Sequence, residues 1–238
     1  MNDSVFIEEL AKIDIYPTSE VLEKLSIYYE ELIKYNSHTN LTSITEKKDV
    51  YLKHFYDSLT LVKSIDFKGK NKVLDIGSGA GFPGLVLKIF FPEIELVLLD
   101  SNRKKTDFLN LMIQKLELSN VEVIKERAED YVKQARESFD IVTSRAVAKT
   151  RVLCEISLPY LKNNGYLIIM KASDEVTKSE LEESKKTINI LNSKIERIVS
   201  FNLPIENSQR NIIVIKKLDN INNIYPRTYD KILKKPLK

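Results

Sequence analysis

The stretch Val73-Leu74-Asp75-Ile76-Gly77-Ser78-Gly79-Ala80-Gly81-Phe82-Pro83-Gly84 joins a short apolar run to a helix-compatible segment through a glycine-rich turn. Small residues in such a turn let backbone N–H groups approach a ligand, and the helix N-terminus that follows adds positive field. Gly79, Gly81 and Gly84 satisfy the spacing G-x-G-x-x-G, and Asp100 follows about twenty residues on, where an acidic side chain can accept hydrogen bonds from a ribose diol. Outward from this turn, apolar runs at residues 72–76, 95–100, 121–124, 139–143 and 166–170 read as strands. The amphipathic stretches 84–91, 103–116, 129–136 and 150–161 between them read as helices. That alternation predicts an α/β fold of βαβ units, a mostly parallel sheet with helices on both faces. Past a polar helix carrying Leu181, Ile188 and Leu191, residues 195–203 and 211–217 are expected to close the sheet as an antiparallel hairpin.

Upstream of the turn the period is helical. Val21, Leu22, Leu25, Tyr28, Tyr29 and Leu32 recur at three- and four-residue spacing behind Ser19 as N-cap. Val50, Tyr51, Phe55, Leu59 and Val62 do the same in a second helix starting near Thr45 and Glu46. The expected organisation is a helical extension over residues 1–69 packed on a catalytic domain over 70–218, followed by a basic tail over 219–238.

Composition narrows the function. A chain of 238 residues with 43% hydrophobic and 30% charged side chains can build a full core. One cysteine, Cys154, excludes an internal disulfide, and two separated histidines, His38 and His54, lack metal-ligand spacing, so no metal site is expected. No apolar run approaches the roughly 20 residues of a membrane span, and the acidic start carries no secretory pattern. The expectation is a soluble cytoplasmic protein that acts as a monomer, with no membrane and no DNA partner. The net charge of +3 conceals an asymmetry. Residues 225–238 hold five basic side chains and one acidic, leaving 32 basic against 33 acidic elsewhere. Local basic charge is what phosphate binding uses.

Two acidic residues discriminate between cofactors. Asp75, just before the first glycine, is poorly placed beside a pyrophosphate and well placed near a cation, which favours S-adenosylmethionine over NAD by charge complementarity. Asp100 would serve either ligand. An NAD-dependent oxidoreductase stays open as the alternative from another class, as does a cofactor-free RNA-binding assembly factor. The run from Asp75 to Gly81 resembles the cofactor loop of Rossmann-like class I S-adenosylmethionine-dependent methyltransferases.

The loop after the third strand offers Ala128 and Glu129, either at an adenine pocket or as an ordinary helix N-terminus. After the fourth strand, Ser144-Arg145-Ala146 stands where amine methyltransferases acting on adenine or cytosine carry an Asp or Asn followed by two prolines. Cys154 lies inside an amphipathic helix and reads as a small buried hydrophobe, which speaks against a thiolate nucleophile. An acceptor that is already nucleophilic, such as guanine N7, then needs alignment and electrostatics alone. Arg145 can hold a guanine edge, a phosphate or the cofactor, or be fixed in an ion pair.

The chain as a whole resembles the family of bacterial small-subunit rRNA methyltransferase G. The resemblance is carried by Asn40-Leu41-Thr42, Lys53-His54-Phe55-Tyr56-Asp57-Ser58-Leu59, the run Asp75 to Gly84, Leu99-Asp100-Ser101, Arg127-Ala128-Glu129, Thr143-Ser144-Arg145-Ala146, Tyr225-Pro226-Arg227 and Lys234-Lys235-Pro236-Leu237. It departs at Ala172, Asp230 and Ile232, where the family pattern has glycine, glycine and proline. The resemblance implies methylation of N7 of a guanine in the 530 loop of 16S rRNA, free or in an assembling small subunit. It implies cofactor contacts from Gly77, Phe82, Ala128, Glu129 and Arg145, with Gly79, Asp75 and Asp100 in support. Arg145 is the expected catalytic residue, and Lys53, His54, Lys171, Arg210 and Arg227 are the expected RNA contacts.

Overall fold

In a computed structural model, which describes residues 1–145, 148–172 and 174–237, the chain forms the expected α/β fold. Ala146, the last residue of the motif after the fourth strand, and Lys238, counted among the tail's charges, lie outside the described residues. Five parallel strands, β1 (Lys72–Ile76), β2 (Glu95–Leu99), β3 (Val121–Ile124), β4 (Phe139–Arg145) and β5 (Leu161–Lys171), are followed by the antiparallel pair β6 (Ser193–Asn202) and β7 (Gln209–Lys217). Their order is β3-β2-β1-β4-β5-β7-β6, so the last strand of the hairpin inserts beside β5 and its predecessor becomes the edge.

Side chains alternate between the two faces of each strand, and the two cores divide accordingly. Val73, Leu96, Leu98, Ile141, Ile168 and Val214 bury one face with the helical extension, α5 (Gly84–Phe90) and α6 (Arg103–Lys115). Leu74, Val97, Leu99, Val142, Ile169 and Ile213 bury the other with α7 (Ala128–Ala135), α8 (Thr150–Ser157) and α9 (Asp174–Ile190). The extension therefore has no core of its own: Phe6, Leu25, Tyr28, Leu32, Phe55 and Leu59 are continuous with the sheet's first face.

The extension is richer than its periodicity foretells. It begins with a helix, α1 (Asp3–Ala11), that holds itself with only Phe6 and Leu10 buried. The next, α2 (Ser19–Thr39), is capped by Thr18 and not by Ser19: the Thr18 hydroxyl accepts from the Val21 N–H. Asn40 ends it in the left-handed region at φ 52°. The expected second helix is a composite of α3 (Lys47–Val50), a π-helical turn over Tyr51–Tyr56, α4 (Asp57–Leu59) and a 3-10 turn over Thr60–Lys63. The π turn carries Lys53 and His54; such turns recur at functional sites because one extra residue redirects the side chains that follow. The tail is not extended either. It holds a short helix, α10 (Tyr229–Lys234), in which Asp230 and the buried Ile232 replace the helix-disfavouring glycine and proline of the family pattern.

Candidate active site

A cavity of about 460 Å³ opens at the carboxyl ends of β1, β2 and β4. Its first wall is the glycine turn. Gly77, Gly79 and Gly81 take positive φ values of 70°, 60° and 94°, which side chains with a Cβ rarely tolerate. The turn is held from three sides: Gly77 N–H donates to the Leu99 carbonyl at 2.7 Å, Gly79 N–H to Asp100 Oδ2 at 3.0 Å, and the Tyr28 hydroxyl to the Ala80 carbonyl at 2.5 Å. Tyr28 lies on α2, so the extension clamps the loop directly.

Asp100 also accepts from the Asn102 N–H at 2.9 Å and stands 3.6 Å from Lys105 Nζ. Its carboxylate is thereby fixed at the end of β2, facing the cavity, with lone pairs to spare for a diol. Glu126, Arg127, Ala128 and Glu129 continue the wall, and Ile156 and Tyr229 close it. Tyr229 comes from the tail.

Asp75 departs from expectation. It is fully buried and does not line the cavity. Strand parity turns it toward the extension, where its Oδ2 accepts the Gly84 N–H at 3.0 Å, bracing the start of α5. Burial pushes its pKa up to about 7, against the lowering effect of the Gly84 bond and Arg145. Its Oδ1 finds no hydrogen-bond partner among the described residues, and neither does the hydroxyl of Thr143, its register partner on β4. In this structure the Asp75 carboxylate thus meets the glycine turn from behind, through Gly84, and not across the cavity.

The opposite end of the cavity is built by the extension. His54 stacks on Phe82 with ring centroids 4.3 Å apart, and Arg145 holds its guanidinium carbon 5.2 Å from the same ring. Arg145 donates from Nη1 to the Lys53 carbonyl at 3.0 Å and lies 3.1 Å from His54 Nδ1 through Nη2. It also pairs with Asp57, Nη1 to Oδ2, at 3.6 Å. His54 Nδ1 stands between the Arg145 Nη2 donor at 3.1 Å and the Lys53 carbonyl at 3.2 Å, which already accepts from Arg145 Nη1. Because the guanidinium can only donate, we assign the His54 proton to Nε2, which faces Thr42 Oγ1 at 2.9 Å. Burial, reinforced by the Arg145 charge, lowers the His54 pKa to about 3, leaving the ring neutral. His54 is thus both a core histidine and a cavity residue.

Of the expected cofactor residues, Gly77, Gly79, Phe82, Asp100, Ala128, Glu129 and Arg145 are brought together around this one cavity. Of the expected RNA contacts only His54 is. Lys53 pairs with Glu206 at 2.7 Å, Lys171 with Glu180 at 2.8 Å and Arg210 with Asp57 at 3.1 Å. Arg227 binds Glu155, which is 1% exposed, through Nε and Nη2, each at 2.7 Å. The four cations are braces in this structure, each held by a carboxylate. Leu41, Thr42, Ile76, Ser78, Ile156 and Tyr229 line the cavity without having been singled out as ligand contacts. Cys154 is buried with its thiol pKa pushed up to about 12, as befits a small core residue.

The sheet order, the glycine turn and the acidic residue at the end of β2 define a class I methyltransferase of the S-adenosylmethionine-dependent type. The fold is shared with a SAM dependent methyltransferase from Aquifex aeolicus, at TM-score 0.56 and 18% identity over 76% of this chain and 98% of that one. It is shared also with M. jannaschii TYW2 in complex with AdoMet, at TM-score 0.57 and 16% identity over 75% and 80% of the two chains. The family model for rRNA small subunit methyltransferase G matches residues 21–213. Curated relatives named ribosomal RNA small subunit methyltransferase G are 45% identical in Bacillus subtilis, over 95% of both chains, and 45% identical in Lachnoclostridium phytofermentans, over 99% of this chain and 98% of that one. The chain belongs to the rRNA small subunit methyltransferase G family.

Proposed function

We propose that the chain methylates N7 of a guanine in the 530 loop of 16S rRNA, met as free RNA or within an assembling small subunit. The observation that carries this reading is the composition of the cavity's far end. His54, Phe82 and Arg145 make a flat, stacked, hydrogen-bonding surface there, and it offers no free base. The His54 lone pair at Nδ1 is engaged by Arg145, and the Cys154 thiol is buried elsewhere. Among the described residues this end of the cavity presents no free base or nucleophile, the carboxylates of Asp100, Glu126 and Glu129 being on the wall formed by the strand ends. That suits guanine N7, which presents its lone pair ready for attack.

The residues present fit S-adenosylmethionine: glycine N–H groups and a fixed Asp100 carboxylate line one end of the cavity, and aromatic surface the other. When bound, that molecule supplies an electrophilic methyl group. Gly77, Gly79, Asp100, Ala128 and Glu129 hold it, while Phe82, His54 and Arg145 orient the acceptor. Transfer leaves positive charge on the methylated guanine beside the Arg145 cation. The Asp57 carboxylate, paired with Arg145, offsets that charge without offering a base.

Within this reading the extension over 1–69 completes the site of the domain over 70–218, and the tail over 219–238 closes one wall. The chain acts as a monomer in the cytoplasm with small-subunit RNA as partner, without membrane or DNA. Among the described residues no helix is long and apolar enough to cross a membrane. The test is methyl transfer to 16S rRNA and to small-subunit assembly intermediates taken from cells lacking the protein. N7-methylguanine is then mapped by chemical strand scission. A single new N7-methylguanine in the 530 loop is expected. Cofactor binding with no N7 modification in any assembly state, or label transferred to protein, overturns the proposal.

A further inference from the structure

Thr42 sits in the loop after α2, outside the elements that carry the glycine turn. Its position is set by several hydrogen bonds. Its N–H donates to Asn36 Oδ1 at 2.9 Å, and its Oγ1 accepts from the Ile44 N–H at 3.0 Å. The same oxygen lies 2.9 Å from His54 Nε2. With the His54 proton assigned to Nε2, the two lone pairs of the Thr42 oxygen are both used as acceptors. Its own proton is then left over. Thr42 lines the cavity, and among the described residues no acceptor is recorded for this proton, so it is available to something bound there.

The cavity end it faces is the one built by the extension, with His54 and Arg145 close by. Guanine presents O6 as an acceptor next to N7 on the same edge, whereas adenine presents an amino donor in that place. We infer that the Thr42 hydroxyl reads O6 of the guanine whose N7 is methylated, making Thr42 a specificity-determining residue. The inference rests on the N7 reading above. Asp57, Arg145 and His54 are then the chain of contacts that keeps this one hydroxyl a donor. Each link fixes the next: Asp57 orients the guanidinium, the guanidinium occupies Nδ1, and the Nε2 proton occupies the threonine oxygen.

The test compares wild type, Thr42→Val and Thr42→Ser on small-subunit RNA carrying guanine, inosine or 2-aminopurine at the target position. Inosine keeps O6 and N7; 2-aminopurine keeps N7 and lacks O6. Wild type is expected to accept guanine and inosine and to disfavour 2-aminopurine in kcat/KM. Thr42→Val is expected to lose about 3- to 10-fold on guanine, the range of one neutral hydrogen bond, and nothing on 2-aminopurine, so its preference shrinks by that factor. Thr42→Ser is expected to keep the preference. The Kd for S-adenosylhomocysteine is expected to be the same in all three proteins. A Val variant with undiminished preference, an equal loss on both bases, or a loss expressed as weaker S-adenosylhomocysteine binding overturns the assignment. Wild type that leaves guanine N7 unmethylated overturns the N7 reading with it; active wild type with an unchanged ratio overturns the assignment of Thr42 alone.

Discussion

Arg145 and Asp57 form an ion pair at 3.6 Å in which the carboxylate side chain is 7% exposed and the guanidinium 17%. The pair ties the end of β4 to the composite helix of the extension, and Asp57 also takes the Arg210 Nε–H from β7 at 3.1 Å. Burial pushes the Asp57 pKa up, while the two arginines pull it down.

Removing the shared anion is therefore more damaging than removing either cation. Asp57→Ala leaves two largely buried guanidinium groups without their counter-ion, an arrangement that typically costs about 3–5 kcal/mol. At roughly 2–4 °C per kcal/mol for a chain of this size, its Tm is expected to fall by about 6 °C or more. Arg210→Ala, which leaves Asp57 paired with Arg145, is expected to lose less than half as much. Thermal unfolding of both variants checks this, and equal midpoints contradict it.

Two glycines of the turn separate conformational strain from crowding. Gly79 has nothing nearer to a built Cβ than the Gly77 carbonyl oxygen at 3.8 Å, so Gly79→Ala bears only the left-handed backbone cost, about 1–2 kcal/mol. Gly81→Ala adds a Cβ that collides with the Tyr28 hydroxyl and stands 2.6 Å from Leu85 Cδ1. Overpacking adds about 1–3 kcal/mol more. Urea unfolding is expected to rank Gly81→Ala well below Gly79→Ala, with S-adenosylhomocysteine affinity lost in the same order.

Acid should act on the fold through two groups that oppose each other. His54 titrates near 3 in the folded chain against an ordinary 6.5. Between those values the unfolded chain binds a proton that the folded one refuses, so its contribution is complete above pH 6.5 and lost as pH falls toward 3. Asp75 titrates near 7 against an ordinary 3.8, so the folded chain binds the extra proton and stability rises as pH falls from 7 toward 3.8. In the overlap the two slopes cancel. Asp75→Asn is expected to expose the His54 loss as a decline, relative to wild type, approaching about 1.4 kcal/mol per pH unit. His54→Asn is expected to show the opposite tilt. Parallel stability–pH curves for the three proteins would contradict this assignment.

Arg227 is predicted to be the main fastening of the helix that ends the tail. Arg227 holds Glu155 through both ends of its carboxylate and caps the Lys235 carbonyl at 2.8 Å, while Arg136 binds the Ile221 and Tyr225 carbonyls from below. Arg227→Ala is expected to speed proteolytic cleavage within residues 229–237 and to weaken S-adenosylhomocysteine binding, because Tyr229 loses its place in the cavity wall. Lys231→Gln with Lys234→Gln keeps the fastening and is expected to leave cofactor affinity unchanged while flattening the salt dependence of RNA binding, by up to roughly one unit of log–log slope per lost phosphate contact.

The parts of the fold that were legible in the sequence are those encoded by short periods. Val73, Leu74, Asp75 and Ile76 alternate between two cores, and the runs at 95–99 and 121–124 read as strands for the same reason. The insertion of β7 between β5 and β6 leaves no such local trace, since pairing order is set across the whole sheet. Neither does the π turn at Tyr51–Tyr56, which continues the helical pattern with one residue too many. The surroundings of Asp75 were not legible from its charge alone, because strand parity decides them: an odd position in β1 points at the extension, where its carboxylate accepts from Gly84. Arg210 and Arg227 read as RNA contacts because sequence shows a cation and hides the carboxylate 153 or 72 residues away. Thr42 was visible only as part of a motif; its role depends on which nitrogen of His54 carries the proton, which no residue pattern states.

The wall of the cavity draws on Leu41 and Thr42 near one end of the chain and on Tyr229 near the other, with contributions from β1, β2, β4 and α8 between. During synthesis most of this wall is in place once residue 156 has been made, and the surface that Tyr229 supplies is added last, so a chain cut before Tyr229 lacks one side of the cavity.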